Sequence, residues 1–242
     1  MLVLDCGLQH YRETLQLQHR LVEARQKALV PDILIVVEHH PIITLGKRAG
    51  RQSLRVAPEA ISQRGIEVIA VERGGDATFH APGQLVVYPL FLLPGGGRGV
   101  KAFVRALEEV MIQVLGAWGI PGSRNDSHPG VWVGDAKIGS VGIAVRHSVS
   151  FHGFALNINN DLSGFEVIYP CGMRDARITS AEHYLGTTLP MEAVREVAVE
   201  KCAGVFGSGT THVFWRAGHD YRGPWPRTWK ESILRHILPT GE

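Results

Sequence analysis

The sequence predicts an α+β, or mixed α/β, fold in which helices pack around a sheet built largely as an antiparallel meander. Three observations carry this. VWVG, KIGSVGIAVRHSVSFHG and FALNIN follow one another as extended apolar segments with short turns between them, the spacing of a meander and not of a βαβ array. Three other stretches carry apolar residues at helical spacing. Finally, 45% hydrophobic and 20% charged residues in 242 are globular proportions, which exclude disordered, collagen-like and coiled-coil chains. With no internal repeat, low-complexity tract or long linker, one domain over 1–242 is expected.

The elements follow in order. Residues 8 to 29 read as a helix with Leu17, Leu21, Ala24 and Ala28 on one stripe. ILIVVEH (33–39) is a short apolar run fit for a buried strand; Pro41 ends it, and IITLG continues as a second extended piece. Pro58 opens a short helix to about residue 64. IEVIAVER (66–73) is a strand that runs into a Gly-rich loop. LVVYPLFLL (85–93) is another, although Pro89 lacks an N–H and so demands an edge, a bulge or a strand end. GVKAFVRALEEVMIQVLGAWG places Phe103, Leu107, Val110, Met111, Val114 and Trp118 on one helical face and Gly119 at its close. Residues 191 to 207 form a last amphipathic helix between Pro190 and Gly207. Beyond His212 the chain turns Pro- and Trp-rich, and no role is assigned to this extension of about 213–242.

A net charge of +2 is too balanced for a dedicated nucleic-acid binder, yet it leaves room for a local basic patch facing an acidic protein partner. Cys6, Cys171 and Cys202 cannot make a disulfide framework. The start MLVLDCGLQHYRE lacks the basic flank of a signal peptide, and no apolar run is long enough to span a membrane. A cytoplasmic setting without membrane association is expected.

Chemistry concentrates in three places. RGGDATFHAPGQLVVYP (73–89) sets Gly74-Gly75 and Pro82-Gly83 between strands, with Arg73 and His80 beside exposed backbone N–H groups; an ordinary hairpin connection is the plainer alternative. Neither GxxxxGK[ST] nor a strand–GxGxxG–helix occurs, and PGGGRG (94–99) reads better as a connection than as an anion site. Lys137, among small apolar neighbours, is either a strand-end residue whose stem reaches water or a cleft lysine able to support a thiolate or act as a base. Cys6 and Cys202 read as inert small hydrophobes, whereas Cys171 stands between Pro170 and Gly172, on a turn that would present its thiol. The twelve histidines show no metal spacing: His39-His40 are adjacent, His147 and His152 lie five apart, and HExxH and CxxC are absent. No metal and no cofactor are expected.

Taken together, RGGDATFHAPGQLVVYP, KIGSVGI, HGFALNINNDL and PCGM, in this order, resemble the four signature segments of the lipoyl(octanoyl) transferase family over most of residues 10 to 186. The resemblance implies the catalytic fold of the biotin and lipoate protein ligases, a mixed sheet with helices around it, in a core of about 10–212. It implies transfer of an octanoyl group from octanoyl-acyl carrier protein to a lysine of lipoyl domains, those of 2-oxoacid dehydrogenase complexes and of the glycine cleavage H protein. Carried over by position, Cys171 is the nucleophile and Lys137 its partner. Arg73, Gly74, Gly75, Asp76, Ala77, Thr78, Phe79 and His80, then Ser140, Val141 and Gly142, then Gly153, Phe154 and Ala155 line the acyl site. Ala81 departs from the family's usual Gly. Because Ala disfavours φ > 0, the loop is expected to be re-shaped there.

The residue chemistry fits that assignment. Thioester exchange is nearly isoenergetic, so no ATP loop is needed, and a cysteine is the natural acyl acceptor. An ammonium at Lys137 would favour the thiolate, and a neutral Lys137 would take the proton of the incoming amine. A Lys137→Arg variant would then still acylate but fail to transfer. An ATP-dependent lipoate or biotin ligase of the same fold, or a non-catalytic module that binds acylated carriers, are the competing functions.

Overall fold

The computed structural model describes residues 1–93, 99–207 and 211–213 of the chain. Its strands are β1 (Leu2–Gln9), β2 (Ile33–His39), β3 (Ile42–Leu45), β4 (Glu67–Ala70), β5 (Ala77–His80), β6 (Gln84–Leu90), β7 (Ser123–Arg124), β8 (Val131–Val133), β9 (Ala136–Arg146), β10 (Val149–Asn157), β11 (Arg177–Ile178) and β12 (Thr211–Val213). Helices are α1 (Tyr11–Gln26), α2 (Pro58–Ser62), α3 (Val100–Gly116), α4 (Ala181–Leu185) and α5 (Met191–Phe206). The expected mixed, largely antiparallel sheet is present: β12-β1-β2-β6-β10-β9-β8-β7, with β11 beside β9. Pairing is parallel only for β12/β1, β1/β2 and β11/β9. A second sheet, β4-β3-β5, was not foreseen.

Both faces of the large sheet are covered, and its central strands are accordingly apolar on both sides. On β2, Leu34 and Val36 pack with α3 and α5, whereas Ile33, Ile35 and Val37 pack with α1. The α3 stripe holds as read, with Phe103, Leu107, Val110, Met111 and Val114 buried and Trp118 packed at its margin. A third cluster, with Ile43, Ala77, Phe79 and Phe165, lies under the small sheet.

The structure differs from the sequence reading at several points. The N-terminal residues form β1, whose Leu2, Val3 and Leu4 are buried between two neighbouring strands, so α1 starts only at Tyr11. At its other end α1 stops at Gln26. Ala28 has φ +55, outside the helix and exposed, so the stripe reduces to Leu17, Leu21 and Ala24. Pro89 lies in a central strand, near its end: it pairs with Leu34 of β2, while the β6/β10 ladder ends at Val87–Phe154. On β10, His152 has φ +53 and gives its N–H to Gln18 Oε1, while Pro89 O accepts from Ser150 Oγ, so the ladder is interrupted at the proline without leaving these groups unpaired. His147 and Ser148, at φ +47 and +66, form the tight turn between β9 and β10, so His147 shares no strand face with His152. Ala81 is buried and has no positive φ, so its Cβ is not strained there; the positive φ of this loop belongs to Gly83 at +85. Of PGGGRG, residues 94–98 lie outside the described residues, as does the C-terminal extension from 214 onwards.

Candidate active site

Cys171 sits at the middle of the 3₁₀ turn Pro170–Gly172 with φ +55 and ψ +24, a left-handed conformation that costs a non-glycine residue about 1–2 kcal/mol. Gly172 N–H donating to Tyr169 O and Met173 N–H donating to Pro170 O close the turn. Tyr169 N–H is itself held by Ser53 O at 2.8 Å. Cys171 is thus half-buried and presented, whereas Cys6 and Cys202 are fully buried and burial pushes both of their thiols up.

Lys137 lies near the start of β9 and is 2% exposed, so its stem does not reach water. Its Nζ donates to Pro129 O at 2.6 Å and to Cys171 Sγ at 3.4 Å, and stands 5.5 Å from the Trp132 ring centroid. Gly130, at φ +123, presses on this side chain: a Cβ there would come within 2.9 Å of Lys137 Cε and collide with Gly139 O. The loop that supplies Pro129 O is tethered from α3, where the buried Glu108 accepts the Gly130 N–H at 2.9 Å and faces Arg124 at 3.5 Å. No sequence signal marked Glu108, a charged residue among the otherwise apolar buried residues of an amphipathic helix. Glu108→Ala should orphan the Gly130 N–H and loosen Pro129, slowing alkylation of Cys171 by about tenfold, from a penalty of about 1.4 kcal/mol at Lys137. Glu108→Gln, which keeps an oxygen acceptor, should restore most of the rate; equal loss in both variants would point to the charge instead.

The cleft at Cys171 brings together most of the residues named from the sequence. One wall is the β9/β10 hairpin, where Ser140, Val141 and Gly142 pair with Ala155, Phe154 and Gly153, so two distant segments form one surface. Gly153 cannot carry a side chain, because a Cβ would run into Val87 O. The other wall comes from Arg73, Gly75, Asp76, Thr78 and His80. Strand alternation divides this segment. Thr78 and His80 face the cleft, while Ala77 and Phe79 belong to the third cluster behind it. Gly74 also stays out of the lining: its N–H donates to Ile143 O and its carbonyl accepts from Arg73 Nη1. Lys137 stands behind Cys171, not on the cleft surface.

Beneath the cleft lies a cluster that sequence reasoning missed. Tyr11 stacks on His80 at 5.6 Å and its hydroxyl meets His152 Nδ1 at 3.3 Å. Tyr88 OH meets His39 Nε2 at 2.7 Å. Burial lowers His39 to about 4 and His80 to about 3, and lowers His152 too, so all three rings are neutral at pH 7. Burial also raises Tyr11 to about 12 and holds Tyr88 well above its usual range. The half-exposed Glu72, 3.6 Å from His152 Nε2, is held down to about 2, first by that contact.

Arg73 is the fixed charge of this region. Burial disfavours its cationic form, yet an arginine stays protonated. Its guanidinium donates to Thr44 Oγ1, Thr44 O and Gly74 O, all neutral, and it forms no ion pair with a described residue. A buried cation satisfied by neutral oxygens alone is suited to meet negative charge that arrives or develops in the cleft. Tyr88 and His152 lie inside the segments quoted above, which gave no reason to single them out. Tyr11 and His39 carry no local signal, and only tertiary contacts bring them here. Among the described residues, no three His, Cys, Asp or Glu side chains converge as a metal site.

Three comparisons bear on this geometry. The Lipoyl protein ligase A/B catalytic domain matches residues 10–203. The octanoyltransferase of Myxococcus xanthus is 42% identical over 208 residues, 84% of this chain; the match spans 58% of that longer protein. The octanoyltransferase of Desulfotalea psychrophila is 41% identical over 86% of this chain and 95% of its own. Among solved structures, the bi-partite lipoate protein ligase of Thermoplasma acidophilum superposes with a TM-score of 0.71 at 15% identity, over 97% of this chain and 90% of that one.

Proposed function

The chain belongs to the lipoyl(octanoyl) transferases of the Lipoyl protein ligase A/B catalytic family, and from that premise we propose that Cys171 carries the acyl group as a thioester. The donor is octanoyl-acyl carrier protein. The acceptors are lysines on the lipoyl domains of 2-oxoacid dehydrogenase complexes and on the glycine cleavage H protein, in the cytoplasm. The observation that carries this reading is the 3.4 Å contact between Lys137 Nζ and Cys171 Sγ at a cleft with one wall of small and mostly apolar residues.

The two halves of the reaction balance through one lysine. Cys171 thiolate attacks the donor's thioester carbonyl, the bond to the carrier sulfur breaks, and the departing thiolate takes a proton from the Lys137 ammonium. Lys137 is then neutral. As the acceptor's amine attacks the Cys171 thioester, Lys137 takes its proton, the amide forms, and Cys171 leaves as the thiolate beside a restored ammonium. Pro129 O keeps Nζ in place at both stages. Arg73 and the β9/β10 wall receive the rest of the substrate, where an eight-carbon chain gains about 0.8 kcal/mol for each methylene buried.

An intact-mass spectrum after mixing with octanoyl-carrier protein tests the proposal. One octanoyl group is expected on the wild-type chain and none on Cys171→Ser. Unmodified wild-type protein that nonetheless transfers octanoate, or that releases pyrophosphate from ATP with free octanoate, would overturn the thioester.

A further inference from the structure

Four basic residues, Lys47, Arg48, Arg51 and Arg55, follow β3 on a stretch with no acidic residue between Glu38 and Glu59. All four are exposed. The backbone of this strap is tied to both sides of the cleft. At its start, Lys47 N–H donates to Arg73 O and Arg48 N–H to Gly75 O, each at 3.0 Å. At its end, Arg55 N–H donates to Val167 O at 2.9 Å, and Ser53 O accepts from Tyr169, next to the Cys171 turn. The Arg55 guanidinium lies 4.8 Å over the Tyr169 ring, joined by Arg174 at 5.7 Å. The strap therefore carries its charges across the mouth at which Cys171 is presented.

None of these five cations forms an ion pair with a described residue, whereas Arg12, Arg25, Arg124, Arg146, Arg177 and Arg195 all do. The side chains of Lys47, Arg48 and Arg51 make no hydrogen bond to a described residue either, so the fold makes no use of their charge. Local acids are fewer: Asp76 in the cleft and the exposed Glu166 and Asp175, three against these five cations.

We propose that this strap is the docking surface for the acyl donor, and that it takes the acidic face of a carrier protein whose thiol arm hangs from a phosphate. The proposal rests on the reading of Cys171 as the acyl acceptor. Of the two protein substrates, the acceptor brings a lysine ammonium to the mouth, which a basic rim repels. The donor brings a permanent anion, and three of the four strap cations are arginines, whose planar forks suit phosphate and carboxylate.

The test compares Arg48→Glu/Arg51→Glu with the wild-type chain, using octanoyl-carrier protein and the octanoyl thioester of a small neutral thiol. Acylation of Cys171 by the carrier should fall by about 30-fold in kcat/KM, and the salt dependence of the wild type should flatten. Acylation by the neutral thioester should stay within about twofold, and so should transfer from preformed acyl-enzyme to a lipoyl domain. Equal loss with both donors, or a larger loss in the transfer step, would overturn the assignment. If the wild-type chain forms no acyl-enzyme, the thioester proposal fails on its own. Docking is then read from binding of fluorescent carrier protein, which the double variant must weaken by a comparable factor; unchanged binding overturns the strap.

Discussion

Lys137→Met is expected to slow octanoyl transfer by about 10³-fold while leaving the chain folded, within the range of general acid–base effects. Methionine matches the lysine stem out to Cε and fills the same buried channel, so packing beside Gly130 is kept. What is lost is the donor to Cys171 Sγ and Pro129 O. Both half-reactions should suffer, and alkylation of Cys171 at neutral pH should slow in parallel. Single-turnover measurement of acylation and transfer checks this; a variant within tenfold of wild type in both would leave Lys137 no part in the chemistry. Arginine is no milder replacement. The sequence alone suggested that Lys137→Arg would keep the acylation step. With Gly130 pressed against Lys137 Cε, a longer forked head has no room beside Sγ, and both steps should fail.

The second large effect concerns stability in mild acid. His39 and His80 are held neutral in the fold, at about 4 and about 3, while in the unfolded chain each titrates near 6.5. The unfolded state therefore binds protons first as pH falls, and the fold loses stability from about pH 6.5 downward, until each ring protonates in place. By pH 5 the two together should cost about 4 kcal/mol, a large share of the roughly 5–15 kcal/mol that holds a domain. His152, also lowered, adds in the same direction. Urea unfolding at pH 7.5, 6 and 5 should show a steep fall, and His80→Gln should flatten it. Constant stability over that range would mean that these rings take up protons in the fold as readily as in the unfolded chain.

The parts of the molecule legible in the sequence are those whose signal is local. The α3 face, the β9/β10 meander and the Pro170–Gly172 turn each announce themselves within about twenty residues. So does the segment from Arg73 to His80, although which of its residues face the cleft follows from the β5 alternation and a register that no spacing revealed. What escaped is set by distant partners. β1 is only eight residues long, contains Gly7 and a register shift, and becomes a strand through β2 and β12. Tyr11 enters the site through His152, and Glu108 through Gly130, contacts that no window of sequence contains.

The pairing of β1 also governs how the chain is made. Leu2 aligns with Ile33 on one side and with Thr211 on the other. A ribosome releases the first of these partners early and the second much later, once residue 211 has emerged. Until then one edge of an apolar strand has no neighbour, and such an edge invites pairing with another nascent chain. Synthesis should therefore pass through a long aggregation-sensitive interval that ends when β12 pairs with β1, and truncations just short of residue 211 should be the least soluble of a nested series.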